Sequence, residues 1–259
     1  MECKVCRCEC EEKFEGLILG KYKVKYYFCP NCEHLQTEEP YWLKEAYKEP
    51  IAAEDTGVLQ RNLNNRVAAA SVLSCFFDID KKFLDYAGGY GVFVRLMRDV
   101  GFDFVWEDKF SPNLFARGFE YKKEDKIDLI TAFELFEHLE KPVEELEKMF
   151  EISSDILFTQ NTMPLPVKPN WWYLSPSAGQ HISFYTNKTL DFLAEKFGKK
   201  HLSSGEYHLF TEKDIEQKAF EEVIKNSAHI YLQNAVDYKS RIASDMEYIL
   251  KLKNDVKNI

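Results

Sequence analysis

The sequence lacks long hydrophobic runs and is short of positive charge. No stretch of about 18 apolar residues occurs, and the first residues form no apolar signal region, so neither a membrane span nor secretion is expected. The 259 residues include 34 lysines and arginines against 43 aspartates and glutamates, a net charge of −9. This excess of negative charge disfavours general binding to a phosphate backbone. We therefore expect a cytoplasmic protein with no nucleic-acid partner.

Glycine is also scarce, with 11 residues in the whole chain. A dinucleotide-binding fingerprint requires G-x-G-x-x-G, but the turn at Gly89 and Gly91 continues with Val92, Phe93 and Val94. The Lys-Ser or Lys-Thr pair of a Walker sequence is absent there as well. These absences argue against the common dinucleotide and P-loop sites.

Cysteine is concentrated at the N-terminus, where six of the seven cysteines lie within the first 32 residues. Two C-x-x-C pairs are separated by 22 residues, and the alternating residues 21–28 between them predict a strand. Two such turns bring four thiolates within tetrahedral reach of one Zn²⁺, and a segment this short depends on the metal for folding. The sequence predicts a zinc ribbon over residues 1–40, with a structural Zn²⁺. The predicted ligands are Cys3, Cys6, Cys29 and Cys32.

Two further cysteines, Cys8 and Cys10, lie beside the first pair. Either both are free thiols, or one of them binds the metal, in place of Cys6 or as a weak additional ligand. Both alternatives remain open from the sequence.

The stretch over residues 83–91 organises the rest of the prediction. It begins as a buried strand and ends in a glycine turn, and apolar residues at helical spacing follow from Val92 to Val100. Gly101 stands where a helix commonly ends. A strand, a glycine turn and a helix N-terminus form a nucleotide-binding unit, because glycine lets a ligand approach bare backbone.

The turn itself, Asp85-x-Ala87-x-Gly89-x-Gly91, resembles motif I of class I S-adenosylmethionine (SAM) methyltransferases. The first glycine that is usual in this motif is Ala87 here. The resemblance implies that Asp85 holds the turn or the amino group of SAM, and that the backbone at Ala87, Gly88, Gly89 and Gly91 lies against the ligand. An ordinary tight turn between a strand and a helix is the alternative.

Strands and helices alternate after the turn, which predicts a parallel sheet. Residues 102–106 form the second strand, and a carboxylate at its tip is suited to accept both ribose hydroxyls of an adenosine. Asp108 is the predicted ribose ligand, with Glu107 as the alternate and a solvated acid as the ordinary interpretation. Ser111-Pro112 is expected to open the next helix.

Residues 127–133 form another buried strand, which runs into Glu134-Leu135-Phe136-Glu137-His138. This run resembles a segment of a methyltransferase group that includes ubiquinone-pathway O-methyltransferases and enzymes of secondary metabolism and surface polysaccharide synthesis. The resemblance implies that Phe133 and Glu134 flank SAM. Glu134, Glu137 and His138 also match a trio that binds a metal in some relatives, whereas capping and packing at the start of a helix are the ordinary interpretation.

A long segment rich in proline, asparagine and tryptophan covers residues 160–180. Long loops in compact domains are usually functional, and Trp171, Trp172 and Tyr173 are predicted to shape an acceptor pocket. The run from Gly179 to Thr186 resembles the same methyltransferase group, in which the histidine, here His181, lies on the acceptor side of SAM. A base with a pKa near neutrality would assist methyl transfer to a hydroxyl, so His181 is the predicted catalytic residue. A structural histidine is the alternative.

The predicted fold class is α/β, with a Rossmann-like class I methyltransferase sheet. Predicted segments are a zinc ribbon at 1–40, a helical connector at 41–79, a SAM-binding domain at 80–211 and a helical tail at 212–259. Apolar stripes in the tail suit packing or a homo-oligomer.

The predicted function is SAM-dependent methylation of an oxygen atom. The small-molecule acceptor is expected to be a nucleotide-activated sugar or another activated precursor of surface polysaccharide, an inference from resemblance. Three alternatives remain: an RNA methyltransferase with a zinc module, a sugar C-methyltransferase, and a non-catalytic protein with the same fold.

Overall fold

The computed structural model describes residues 1–48, 55–235 and 237–257. Contacts divide the chain into two compact units. Unit 1 comprises Met1–Thr56 and Ala132–Gln217, and unit 2 comprises Gly57–Thr131 and Lys218–Ile259. Within the predicted connector, residues 49–54 lie outside the described residues.

Strands and helices alternate through much of the described chain. The strands are β1 (Glu11–Ile18), β2 (Tyr22–Phe28), β3 (Leu35–Thr37), β4 (Lys82–Tyr86), β5 (Asp103–Glu107), β6 (Ile127–Ala132), β7 (Ile156–Thr159), β8 (Ser183–Phe184), β9 (Lys200–Ser204) and β10 (Tyr207–Thr211). The helices are α1 (Leu43–Ala46), α2 (Val58–Phe76), α3 (Val92–Asp99), α4 (Pro142–Ile152), α5 (Asn187–Lys196), α6 (Gln217–Lys225), α7 (Ser227–Asn234) and α8 (Ile242–Lys257). No described helix has the length and apolarity required to cross a bilayer.

In unit 2, β4 lies between β5 and β6 and is parallel to both. Phe83 and Leu84 are adjacent in β4 and both fully buried, as is typical of a parallel strand that is covered on both faces. The glycine turn joins β4 to α3, in agreement with the prediction from residues 83–101. This strand and helix pattern confirms the predicted α/β, Rossmann-like fold class.

Within unit 2, a buried ion pair connects the last helix, α8, to α3. Arg98 of α3 is 4% exposed and donates from Nε and Nη2 to the two carboxylate oxygens of Asp245 in α8, at 2.8 and 2.7 Å. The guanidinium also donates to the backbone oxygen of Phe104 at 2.8 Å. Planar two-point pairing of this kind fixes both distance and orientation, so α8 is held against α3.

The helix predicted to open at Ser111-Pro112 does not form, since residues 108–126 contain turns and bends. Side chains accept backbone N–H groups in this segment, including the Ala116 N–H that a helix from Pro112 would use. Asn113 Oδ1 accepts the N–H of Ala116 at 2.9 Å, and Asp108 Oδ1 accepts the N–H of Ser111 at 2.6 Å. Such local bonds compete with helix formation.

In unit 1, the first three strands and β8 form an antiparallel sheet in the order β1-β2-β3-β8. The fourth strand, β8, follows the proline-rich loop and pairs through Leu35 with Phe184 and Gln36 with Ser183. Trp42 is 1% exposed and donates from Nε1 to the backbone oxygen of Gly179 at 2.7 Å. The predicted ribbon therefore shares its hydrophobic core with the loop region, which sequence reasoning did not anticipate.

The remaining strands of unit 1 are also antiparallel, with β10 paired to both β7 and β9. Gly205 lies in the turn between β9 and β10. Phe136 and Phe158 stack beside these strands with ring centroids 4.0 Å apart. Thr186 caps α5 by accepting the N–H of Thr189 at 3.2 Å.

Candidate functional site

The glycine turn of unit 2 adopts left-handed backbone at three positions, with φ of 57° at Ala87, 53° at Gly89 and 82° at Gly91. A Cβ on Gly91 would stand 3.1 Å from the backbone nitrogen of Ala116, so the helix start is closely packed. No described atom lies within 4 Å of the place a Cβ on Gly89 would take. The Cβ side of Gly89 is therefore open, and a ligand can approach the Cα of the turn there.

The side chain of Asp85 lies against the glycine turn at Gly88. Its carboxylate is 3% exposed, and Oδ1 accepts the hydroxyl of Thr131 at 2.8 Å. A Cβ on Gly88 would stand 2.5 Å from Asp85 Oδ2, so only glycine fits there. Burial raises the pKa of Asp85 to about 7, against the lowering effect of the Thr131 bond and with a smaller increase from the charge of Asp108.

Asp108 joins the tip of β5 to the same turn. Its Oδ2 accepts the N–H of Gly89 at 2.9 Å, while Oδ1 accepts the N–H groups of Phe110 and Ser111 at 2.7 and 2.6 Å. Trp106 Nε1 donates to the Gly89 carbonyl at 2.9 Å. The structure therefore brings the predicted ribose ligand onto the predicted nucleotide turn, and ribose binding itself stays a prediction.

In unit 1, Glu134 has a left-handed backbone with φ of 53°, which is uncommon outside glycine. Thr159, at the end of β7, holds it in place. The Thr159 hydroxyl oxygen accepts the Glu134 N–H at 2.9 Å and donates to Oε1 of the same residue at 2.9 Å. Strained backbone of this kind is frequent at functional sites. The neighbouring Phe133 is half-buried.

A second group of polar side chains lies elsewhere in unit 1. One ligand atom each from Glu137, His138 and His181 lies within 4.8 Å of the others. Glu134, the third member of the predicted metal-binding trio, is not in this group. His181, predicted from a different motif, takes that place, and we call these three residues the histidine cluster.

His181 Nδ1 lies 2.7 Å from the backbone oxygen of Tyr173. A carbonyl oxygen only accepts, so Nδ1 carries the hydrogen and Nε2 keeps its lone pair in the neutral ring. His138 is held in the same way, with Nδ1 3.1 Å from the Gln180 backbone oxygen and 2.9 Å from the Tyr47 hydroxyl. Burial, followed by the proximity of His181, lowers the pKa of His138 to about 3, so its ring is neutral.

Glu137 is fully buried, and its Oε1 accepts the Tyr173 hydroxyl at 2.8 Å. Its Oε2 has no hydrogen-bond partner among the described residues. Sequence reasoning missed Tyr47, which carries no motif and meets the cluster only through the fold, and it assigned no role to Gln180, the neighbour of His181 in sequence.

The three aromatic residues predicted to form an acceptor pocket lie in different surroundings. Tyr173 is 2% exposed and bound to Glu137, whereas Trp172 is 71% exposed. Trp171 packs against the hydrophobic core of unit 1. Trp172 alone of the three is largely open to solvent, and the role of the three in binding an acceptor stays a prediction.

The four predicted ribbon cysteines come together as one group, in which one Sγ from each lies within 4.8 Å of the others. Cys3 and Cys32 Sγ are 3.6 Å apart, and Cys6 and Cys29 Sγ are 3.4 Å apart. Zn–S bonds of about 2.3 Å in a tetrahedron place sulfurs about 3.8 Å apart, so the four thiolates fit Zn²⁺. Cys8 and Cys10 are outside the group found among the described residues.

Comparison with known proteins gives a family match and distant structural similarity. The family model described as "Methyltransferase domain" matches residues 59–203, more than half of the chain. No curated protein matches the chain.

Three similar solved structures are methyltransferases. Identity is 13% to the mitomycin 7-O-methyltransferase MmcR (TM-score 0.43, covering 65% of this chain and 59% of that one). Identity is 15% to CalO1, a methyltransferase of calicheamicin biosynthesis (TM-score 0.42, covering 66% of this chain and 61% of that one). It is 13% to an O-methyltransferase family protein from Burkholderia thailandensis (TM-score 0.43, covering 66% of this chain and 64% of that one). The chain thus spans less than two thirds of the length of each. From the family match over residues 59–203, the chain belongs to the methyltransferase-domain family, as its resemblance to class I SAM-dependent methyltransferases implied.

Proposed function

We propose that this protein transfers a methyl group from SAM to an oxygen atom of a small molecule. Family membership supports the donor, because SAM supplies the electrophilic methyl group in this class. The observation that carries the acceptor chemistry is the bond from His181 Nδ1 to the Tyr173 carbonyl at 2.7 Å. It directs a basic nitrogen, Nε2, away from the backbone.

In this proposal the glycine turn and the acidic residue after β5 bind SAM. The open backbone at Gly89 takes the ligand, Asp85 supports the turn, and Asp108 receives the ribose hydroxyls. Phe133 and the strained Glu134 flank the ligand. The proposed SAM-binding residues are Asp85, Ala87, Gly88, Gly89, Gly91, Asp108, Phe133 and Glu134.

The proposed reaction is a direct displacement at the sulfonium methyl carbon. The acceptor oxygen forms its bond to the methyl group as the S–CH₃ bond breaks, and the sulfur keeps the electron pair, which yields S-adenosylhomocysteine. His181 Nε2 accepts the hydroxyl proton. General-base assistance of this kind contributes about 10²–10⁴-fold to rate.

The proposed acceptor is a nucleotide-activated sugar or another activated precursor of surface polysaccharide. Resemblance to enzymes of that group supports the class, and the exposed ring of Trp172 is suited to stacking on a sugar. A zinc ion at the cysteine group, a cytoplasmic location and a homo-oligomer through the C-terminal helices belong to the same proposal. Ile242, Met246 and Leu250 of α8 are exposed apolar side chains that suit such an association.

The test uses His181→Ala in the full-length chain, with His229→Ala as a matched control at an exposed histidine. Calorimetry with SAM and S-adenosylhomocysteine production over a panel of nucleotide sugars are measured for each. We expect unchanged SAM affinity and a 10²-fold or greater loss of turnover for His181→Ala, with the control unaffected. Undiminished turnover would exclude His181 as the base, and absence of SAM binding in the unaltered protein would exclude the donor site.

A further inference from the structure

A series of hydrogen bonds links α5, β9 and β10 to the first residue of the proline-rich segment. Asp191 Oδ1 lies 2.7 Å from His201 Nδ1, and His201 Nε2 lies 2.9 Å from His208 Nδ1. His208 Nε2 in turn lies 3.0 Å from the backbone oxygen of Gln160. All four residues belong to unit 1, and we call Asp191, His201 and His208 the Asp191 network.

The Asp191 network runs from the surface into the interior of unit 1. The side chain of Asp191 is 64% exposed and that of His201 is 4% exposed, whereas His208 and Gln160 are fully buried. The Phe158 ring stacks on the His208 ring with centroids 5.2 Å apart. Because the inner end of the network is closed to water, a Gln160 carbonyl that lost its donor would be left unsatisfied at a real cost.

Both ends of the network accept hydrogen bonds, and this determines where the hydrogens lie. A backbone carbonyl only accepts, so His208 Nε2 carries a hydrogen, and in the neutral ring His208 Nδ1 accepts from His201 Nε2. His201 Nδ1 also faces an acceptor, the Asp191 carboxylate. The complete network therefore needs three N–H groups, one more than two neutral imidazole rings provide.

His201 is the ring that takes the additional proton. Burial, followed by the charge of His201, lowers the pKa of His208 to about 3, so that ring stays neutral. Burial also lowers the pKa of His201, and the hydrogen bond and charge of Asp191 oppose that decrease. Asp191 from α5 and His208 from β10 are the titratable side chains that contact His201 among the described residues. The outer bond to Asp191 is therefore made as the pH falls and lost as it rises, while the inner two bonds need no additional proton.

One peptide group carries the network on to the residue that orients His181. The Gln160 carbonyl and the Asn161 N–H belong to the same planar group, so holding one end holds the other. Burial raises the pKa of Tyr173 well above its ordinary value, and a hydrogen bond from the Asn161 backbone acts in the opposite direction. The Tyr173 carbonyl accepts His181 Nδ1 at 2.7 Å. The peptide group thus lies between His208 and the support of His181.

We propose that His208 is a positioning residue for methyl transfer, which acts through the peptide group after Gln160 on Tyr173 and thereby on His181. Asp191 and His201 hold the His208 ring from the surface side. This role rests on the proposed function, because it assigns the support of the proposed base. The positions of the hydrogens do not depend on turnover, so the two are tested separately.

The first experiment locates those hydrogens by ¹⁵N NMR in the full-length protein, with its six histidines selectively labelled. The signals of His201 and His208 are assigned by their loss in His201→Gln and His208→Gln. We expect His208 to keep its hydrogen on Nε2 alone, and His201 to gain a second hydrogen, on Nδ1, as the pH falls. Asp191→Asn should move that gain to lower pH. A hydrogen on His208 Nδ1, or a second hydrogen gained by His208 before His201, overturns the network.

The second experiment compares His208→Leu with His208→Gln, and His229→Leu is the matched control at an exposed histidine. A glutamine amide can still donate to the Gln160 carbonyl, whereas leucine leaves that oxygen without a donor. We expect kcat to fall about 10-fold or more in His208→Leu, because a displaced base loses its reactive geometry, and to recover in His208→Gln. SAM affinity should be unchanged. In the ¹⁵N spectrum, the His181 hydrogen should lie on Nδ1 in the unaltered protein and divide between both nitrogens in His208→Leu.

An unchanged ¹⁵N signal from the buried His34 shows that the antiparallel sheet of unit 1 has folded in each variant. If that signal changes in His208→Leu, the comparison is made with His201→Leu, which removes the donor to His208 Nδ1. Unaltered kcat together with an undisturbed His181 hydrogen, or equal losses in His208→Leu and His208→Gln, overturns the positioning role. Absence of turnover in the unaltered protein counts against the proposed function, while the His181 spectrum still decides whether His208 positions that ring.

Discussion

In unit 2 the glycine turn uses neighbouring residues 85–91, whereas in unit 1 the histidine cluster draws its residues and their supports from three separate segments. Asp85, Gly89 and Gly91 lie within this one short turn, and Asp108 and Thr131 from the neighbouring strands of the same unit bond to it. His138 depends instead on Tyr47 and Gln180, which lie far from it in sequence. A local site is therefore sensitive to single backbone changes, and an assembled site is sensitive to loss of the surrounding fold.

The largest expected effect is on unit 1, through the cysteine group. Cys29→Ser removes one of four clustered thiolates, and structural Zn²⁺ contributes about 10–16 kcal/mol in isolated zinc-finger peptides. We expect β1, β2, β3 and β8 to lose most of their protection in amide hydrogen exchange, while β4 and β5 keep theirs. Cys8→Ser is the matched control at an exposed cysteine and should leave both units unchanged.

If Cys29→Ser exchanged like the unaltered protein, the ribbon would not depend on that thiolate. Equal damage from Cys8→Ser would instead place Cys8 among the ligands, one of the alternatives that the sequence left open.

The next effect concerns the local site. Gly91→Ala places a Cβ in a left-handed conformation and 3.1 Å from the Ala116 backbone nitrogen, so we expect a loss of ~2–4 kcal/mol in unfolding free energy. SAM affinity should fall as well. Gly198→Ala is the control. Gly198 also has a positive φ, 66°, but no described atom lies within 4 Å of the place its Cβ would take, so the loss in unfolding free energy should come from left-handed strain alone, ~1–2 kcal/mol. Urea unfolding of the two variants measures the difference, and equal losses would contradict close packing at the helix start.

The smallest effect is a pH dependence at Asp85. Its pKa is about 7 in the folded state against about 3.9 in an unfolded chain, so folding favours the protonated carboxyl. The stabilising contribution is complete below pH 4 and is lost as the pH rises through 7. Asp85→Asn stays neutral and can still accept from Thr131. We expect the stability advantage of Asp85→Asn over the unaltered protein to be ~1–3 kcal/mol larger at pH 8 than at pH 5.

Urea unfolding at pH 5 and pH 8 gives that comparison. Parallel pH profiles for the two proteins would show that burial does not raise the pKa of this carboxyl as described.

The same contrast explains what could be predicted from the sequence. The strand, turn and helix from 83 to 101 follow from neighbouring residues, as do the two cysteine pairs, because their spacing alone brings the atoms together. The pairing of β8 with β3 and the approach of Tyr47 to His138 depend on distant segments that carry no common pattern. The absent helix at Ser111 has a local cause, since Asn113 accepts the Ala116 N–H that a helix from Pro112 would use.

Ile182 lies between the strand sheet that carries the cysteines and the residues that surround His181. Its carbonyl accepts the Thr37 N–H at 3.1 Å, and its own N–H donates to Glu137. Backbone hydrogen bonds through Ile182 thus connect the N-terminal module to the residue beside His181, and replacing the module with one from a related chain is expected to change the position of that histidine even where the replacement folds well.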